Sequence, residues 1–189
     1  MLPTPDTQKT ASSLDQGARR RTRLREFQAQ LVERMQAARS GADAHVNQLG
    51  VQIGNSRWLV SLQHAGEIVP VGTITRVPLT QDWFLGVTNI RGKLVTVVDL
   101  ARYHGEPATS VDKDSRILAF APSLGFNGGL LVSRVLGLRN MAQMQESPDA
   151  PPPGLDWAAA RYIDHEDLVW NQLDLSLAIH DPRFLHVGI

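Results

Sequence analysis

The sequence predicts a mainly β protein preceded by a helical arm, and three observations carry that reading. Apolar and polar residues alternate through Leu49, Val51 and Ile53, and again through Trp58, Val60 and Leu62, the period of strands with one buried face. Gly54-Asn55-Ser56 stands between the two runs, so they read as a hairpin. Earlier in the chain the period changes. Leu24, Phe27, Leu31 and Met35 recur at helical spacing, with Val32 widening the stripe.

Residues 1–14 are rich in Pro, Thr, Ser and Gln and carry little to bury, which predicts a disordered tail. Residues 15–41 form the arm, with Asp15 as N-cap and Gly41 as stop. Such an amphipathic helix packs on its own domain, binds a partner or lies on a membrane surface. Its Arg19-Arg20-Arg21-x-Arg23-x-Arg25 run also suggests nucleic acid, although no aromatic residues interleave it. A small-barrel nucleic-acid-binding protein is therefore the alternative function, tested by a salt-dependent gel shift.

Residues 42–189 carry the β series. Glu67 to Pro70 and Ile74 to Pro78 read as short strands, with prolines suited to edges. Thr80 to Trp83 reads as a brief helical turn, and Phe84 to Val87 and Leu94 to Val98 as strands. Tyr103 to Asp114 reads as a polar loop. Ile117 to Ala121 is a further strand, Phe126-Asn127-Gly128-Gly129 a turn, and Leu130 to Leu138 one long return strand. The connector through Pro151-Pro152-Pro153-Gly154 resists regular structure. A last strand runs from Leu168 to Leu173, and a short helix from Asp174 to about His180 comes after it.

Composition narrows the chemistry. Hydrophobic content of 42% suffices for a core, and the absence of cysteine excludes disulfides and thiolate metal sites. No run has the apolar length of a membrane span and no secretory signal opens the chain, which predicts a cytoplasmic protein. The net charge of zero conceals an asymmetry, because residues 1–40 hold eight Lys/Arg against four Asp/Glu. His165-Glu166-Asp167 reads as a solvated charge cluster, since no partner spacing supports a metal or an acid–base pair. Asp112-x-Asp114 lacks the glycine and distal Glu of a calcium loop, and Ser133 lacks a His/Asp arrangement. No cofactor and no catalytic residue is expected, so the chain reads as a non-enzyme.

The most informative stretch is residues 84–100. Asn89 and Gly92 supply turn chemistry between two apolar strands, and Arg91 places a permanent charge among them. By itself that is a solvated hairpin arginine. However, Gly86-Val87-x-Asn89-Ile90-Arg91-Gly92-x-x-Val95-x-Val97-Val98-Asp99-Leu100 resembles the signature of the CheW-like coupling proteins of bacterial chemosensory systems. Gly129-Leu130-Leu131-Val132-Ser133-Arg134-Val135 resembles the family's later strand, and the likeness spans roughly residues 46–180. Thr96 and Ser133 depart from the residues that many relatives carry there, and the Gly-Val-Ala pattern before the last strand is missing around Asp164-His165-Glu166.

The resemblance implies two small SH3-like β-barrels, the first mainly from residues 46–100 and the second mainly from 115–173, with some strand exchange. A two-barrel fold also makes an internal echo expected. Leu94-Val95-Thr96-Val97-Val98-Asp99-Leu100 and Val169-Trp170-Asn171-Gln172-Leu173-Asp174-Leu175 share one pattern, and each Asp ends a strand where it can cap the next turn of chain. The resemblance further implies an adaptor that docks a CheA-type histidine kinase and the cytoplasmic tip of a methyl-accepting chemoreceptor, in association with membrane-bound receptor arrays. The partner-binding residues it implies are Ala65, Glu67, Asn89, Arg91, Gly92 and Val135, with Glu67 and Arg91 paired across the first barrel. The added N-terminal segment is compatible with the PilI-type branch, which serves type IV pilus twitching.

Overall fold

A computed structural model describes residues 47–151 and 156–189. The tail at 1–14, the arm at 15–41 and part of the proline-rich connector lie outside the described residues.

Eleven strands and three short helices make up the described chain. In order they are β1 (Asn47–Ile53), β2 (Ser56–Ser61), β3 (Ala65–Pro70), β4 (Phe84–Ile90), β5 (Lys93–Val98), α1 (Leu100–Tyr103) and β6 (Arg116–Phe120). Then come β7 (Gly128–Val132), β8 (Arg134–Asn140), β9 (Gln145–Glu146), β10 (Ala158–Ile163), β11 (Val169–Leu173), α2 (Leu175–Ala178) and α3 (Pro182–Leu185). They form two sheets, with strand orders β8-β1-β2-β11-β10-β9 and β3-β6-β7-β5-β4.

The two sheets share one plan. In each, two antiparallel steps lead to a parallel pair, β2 beside β11 and β7 beside β5, and an antiparallel hairpin strand follows, β10 or β4; the two-residue β9 then extends the first sheet beyond β10. The short helix after β5 is capped by Asp99, whose carboxylate accepts from Ala101 N–H, and the helix after β11 by Asp174, which accepts from Ser176 N–H. The two caps even share backbone angles, φ −94° and ψ 101° against φ −98° and ψ 101°. The echo read from the sequence is therefore a repeat in space. It is circularly arranged, because β3 to β7 form one copy without interruption while β1 and β2 complete the copy begun by β8, β10 and β11.

That arrangement bears out the expected partition and defines the exchange. One sheet takes β3, β4 and β5, three of its five strands, from residues 46–100, the other takes β8 to β11, four of its six, from residues 115–173, and the β1–β2 and β6–β7 pairs are the strands exchanged. Residues 65–132 build one sheet, and residues 47–61 and 134–173 build the other. The run from Leu130 to Leu138 is consequently two strands, cut at Ser133 where the chain passes between sheets, its N–H donating to the Gln52 carbonyl at 2.8 Å. Gly128 and Gly129 lie inside β7 rather than in a turn; Pro122 to Leu124 instead make one 3-10 turn, closed by Gly125 at φ 64°. Ile74 to Pro78 forms only an isolated bridge at Thr75, and the brief turn expected at Thr80 to Trp83 is a single one over Asp82 and Trp83, closed by Phe84 N–H on the Gln81 carbonyl at 3.1 Å.

The C-terminal helix is anchored by aromatic packing. Phe184 is buried against Trp83, Tyr103, Phe126 and Trp157, with ring centroids 4.8–6.1 Å away. Asp181 Oδ2 accepts from both Tyr103 OH and Trp157 Nε1 at 2.8 Å, and Oδ1 caps α3 through Arg183 N–H. Burial, followed by the hydrogen bond to Asp181, pushes the Tyr103 phenol up to about 12.

Candidate functional site

The corner at residues 86–94 is built from backbone requirements upward. Gly86 lies at φ 130°, and a Cβ there would stand 2.1 Å from the Thr75 carbonyl oxygen. That close approach lets Thr75 and Val87 exchange backbone hydrogen bonds of 2.8 and 2.9 Å, which tie the 71–76 loop to β4. Only glycine meets both demands. Thr88 fixes the same loop through a 2.9 Å hydrogen bond from its hydroxyl to the Thr73 carbonyl.

Beyond Ile90 the strand reverses in two residues. Ile90 pairs with Lys93, and the two residues between them, Arg91 and Gly92, have φ of 50° and 84°. Positive φ at both central positions is the pattern of a type I′ hairpin, whose twist matches that of the strands. The turn expected from Asn89 and Gly92 is thus shifted, since Arg91 itself takes the left-handed position. Asn89 stays in β4, where its Oδ1 accepts from Gly92 N–H at 2.8 Å.

From this tip Arg91 Nε reaches Glu67 Oε2 at 3.0 Å. The pair expected from the sequence is formed, and its position has a consequence for the sheet. Glu67 sits on β3 and Arg91 at the end of β4, the two opposite edges of one sheet. Their contact requires the sheet to curl until its edges approach, which gives it a barrel form. Inside the curl, Ile90, Val95, Val97, Ile117, Ala119 and Leu131 form a buried cluster, with Val69, Val71, Ile74 and Leu85 packed against it. The ion pair itself is solvated, with side-chain exposure of 80% for Arg91 and 46% for Glu67. A pair so exposed contributes about 0–1 kcal/mol to stability.

The six site residues named from the sequence are not all equivalent in space. Glu67, Asn89, Arg91 and Gly92 gather at the corner and are exposed, with Asn89 and Gly92 tied to one another. Ala65 is fully buried at the start of β3. Val135 is half-buried on β8, in the other sheet, paired with Val51. Sequence reasoning passed over Leu94, read there only as the start of a strand. Its neighbours Val95 and Val97 are buried, yet Leu94 is 63% exposed, directly across from Asn89 in the ladder. The signal was present in the alternation, because Val95 and Val97 facing the core turn Leu94 and Thr96 outward. The corner therefore offers an amide, an exposed apolar side chain and Arg91 on the β4–β5 hairpin, with Glu67 completing the charged pair from β3.

The remaining candidate chemistry resolves into structure. Asp164 is buried at the β10–β11 turn, accepting from Trp170 Nε1 at 2.8 Å and from the N–H groups of Glu166 and Leu168. Burial alone would raise its pKa, but these hydrogen bonds outweigh it and hold the carboxyl below the usual range. His165, Glu166 and Asp167 stand exposed on that turn. Among the described residues no group of three or more His, Asp or Glu side chains could hold a metal ion, and no helix is long and apolar enough to cross a membrane.

Comparison with known proteins gives this geometry a family. PilI of Pseudomonas aeruginosa is 26% identical over 144 residues, which cover 75% of this chain and 79% of that protein. FrzA of Myxococcus xanthus is 27% identical over 126 residues, covering 67% of this chain and 77% of FrzA. The chemotaxis protein CheW of Helicobacter pylori is 34% identical over 94 residues, covering 47% of this chain and 56% of that one. In three dimensions, the scaffolding protein TtCheW of Thermoanaerobacter tengcongensis superposes with a TM-score of 0.59 at 22% identity, covering 68% of this chain and 84% of that one, a likeness of fold. The CheW-like domain description matches residues 48–181, both sheets and the Glu67–Arg91 corner included, and the chain belongs to the CheW-like domain family.

Proposed function

We propose that this chain is a non-enzymatic adaptor that couples a methyl-accepting chemoreceptor to a CheA-type histidine kinase in a cytoplasmic receptor array. The observation that carries the reading is the match of residues 48–181 to the CheW-like domain. Similarity to PilI and FrzA over two thirds or more of the chain favours a surface-motility output, with type IV pilus twitching first. Coupling on this reading is thermodynamic: a receptor biases the kinase only through the difference in how well each kinase arrangement binds the adaptor.

The Glu67–Arg91 corner is the docking surface we assign, with Asn89, Gly92 and Leu94 as its other contacts. A charge pair already formed in the free protein needs little reordering on binding, and Leu94 supplies apolar area that folding leaves exposed. Ala65 acts from beneath, by seating β3, and Val135 belongs to a second contact on the other sheet. The experiment is reconstitution with a CheA-type kinase and a chemoreceptor fragment from the same organism. Kinase activity should depend on receptor state only when the adaptor is present. Receptor control that is unchanged when the adaptor is omitted would refute the reading.

A further inference from the structure

Outside both sheets, residues 79–81 run beside residues 187–189. Gln81 N–H donates to the Val187 carbonyl at 2.8 Å, and Ile189 N–H donates to the Leu79 carbonyl at 3.1 Å. Gln81 Nε2 adds a 3.2 Å hydrogen bond to the Gly188 carbonyl, and Thr80 bridges Gly188. That register sets Leu79 across from Ile189. Among the described residues these are the two most exposed large hydrophobic side chains, at 76% and 80%. Leu79 also has φ 58°, a conformation a leucine keeps only where its surroundings hold it there. The ladder with residues 187–189 holds it. Neither side chain belongs to the sheet cores or to the Glu67–Arg91 corner.

The charges around Leu79 indicate the occupant. Arg76 lies three residues before it and Asp82 three residues after, and both are exposed. A segment with a cation, an apolar side chain and an anion at equal spacing is its own complement under a two-fold rotation. If Leu79 of one copy meets Leu79 of another, Arg76 of each faces Asp82 of the other, twice over, as an isologous contact requires. We propose that this face is a homotypic contact between two copies of the chain, with Leu79 and Ile189 at its centre and two Arg76–Asp82 ion pairs at its rim. Two apolar side chains a copy bury far less than the roughly 1,200 Å² of a stable interface. The contact is therefore weak between free molecules and gains strength where other interactions already hold copies side by side.

Because the chain has no cysteine, one introduced thiol reports without background. Leu79→Cys is oxidised at high protein concentration beside Val111→Cys, a control at 58% exposure in the native chain. The expected result is disulfide-linked dimer from Leu79→Cys about tenfold above the control, the scale on which two rim pairs and an apolar contact shift a weak equilibrium. Adding Arg76→Asp or Asp82→Arg to Leu79→Cys should each lower the yield towards the control. Mixing those two charge variants should restore it, because the mixed pair sets unlike charges at both rims. Sedimentation of the unsubstituted chain against Leu79→Asp repeats the test without a thiol, with concentration-dependent association expected only for the former. Cross-linking at the control level, charge variants that cross-link like their parent, or no recovery on mixing would overturn the proposal and leave the face to another partner.

Discussion

Replacing Gly86 with alanine tests whether the corner is built as described. The added Cβ would lie 2.1 Å from the Thr75 oxygen and 2.8 Å from its carbonyl carbon, with Arg76 Cα next at 3.0 Å. All three are backbone atoms, so no side-chain rotation relieves the contact. Either Thr75 retreats, breaking its two hydrogen bonds with Val87, or β4 deforms where its register with β5 shifts, between Phe84 and Gly86. Backbone strain at φ 130° adds about 1–3 kcal/mol, and overpacking a site that cannot yield adds a similar amount. The sum is about 2–6 kcal/mol. Gly92→Ala separates the two contributions, because Gly92 has φ 84° but nothing within 4 Å of its would-be Cβ. It should cost about 1–2 kcal/mol from the left-handed backbone alone. Urea melts of the two variants and the parent give both numbers. If Gly86→Ala melts within about 1 kcal/mol of Gly92→Ala, the close approach to Thr75 is not what fixes glycine there.

The capping and buried carboxylates set two further outcomes. Asp99 is fully buried and accepts from Ala101 N–H, Thr109 N–H and Thr109 Oγ1, so Asp99→Ala strands three donors and should cost about 3 kcal/mol, whereas the half-exposed Asp174 should cost about 1 kcal/mol as a lost cap; thermal melts compare them. Asp164 and Asp181 have carboxyls held below their ordinary range, in both cases because hydrogen bonds outweigh burial. Their contribution is full above the unfolded carboxylate pKa and is lost as pH falls through the lower folded values, so stability should decline below about pH 4, and Asp164→Asn with Asp181→Asn should flatten that acid limb in melts taken across pH.

How much of this was legible in the sequence depended on the range of the interaction. The β1–β2 hairpin needs only alternation and a turn signal, and it stands where those put it. The Asp99 and Asp174 caps were readable because a cap bonds residues two positions away. Arg91 and Glu67 are 24 residues apart in the sequence, and their pairing came from a family resemblance, not from periodicity. β10 was missed because Ala158-Ala159-Ala160 carries no strand alternation; pairing with β11 imposes the extended form. α1 and α3 are single turns, too short for a helical period to register. The break at Ser133 was hidden because Leu130 to Val132 and Val135 to Leu138 are both apolar, and only tertiary pairing assigns them to different sheets. The Asp181 node was equally hidden, since Tyr103 and Trp157 converge on it from 78 and 24 residues away.

On the proposed function, the Arg91 corner serves docking more than folding. Arg91→Ala removes a solvated pair worth about 0–1 kcal/mol, so its melt should stay close to that of the parent. The decisive measurement is a binding titration of Arg91→Ala against the kinase and receptor fragments, run beside that melt and beside Arg91→Glu with Glu67→Arg. Arg91→Ala should bind at least one partner about tenfold more weakly while folding normally, and the exchanged pair should recover stability but little binding. Parent-like binding of both partners by Arg91→Ala would contradict the claim and return Arg91 to the role of a solvated hairpin residue.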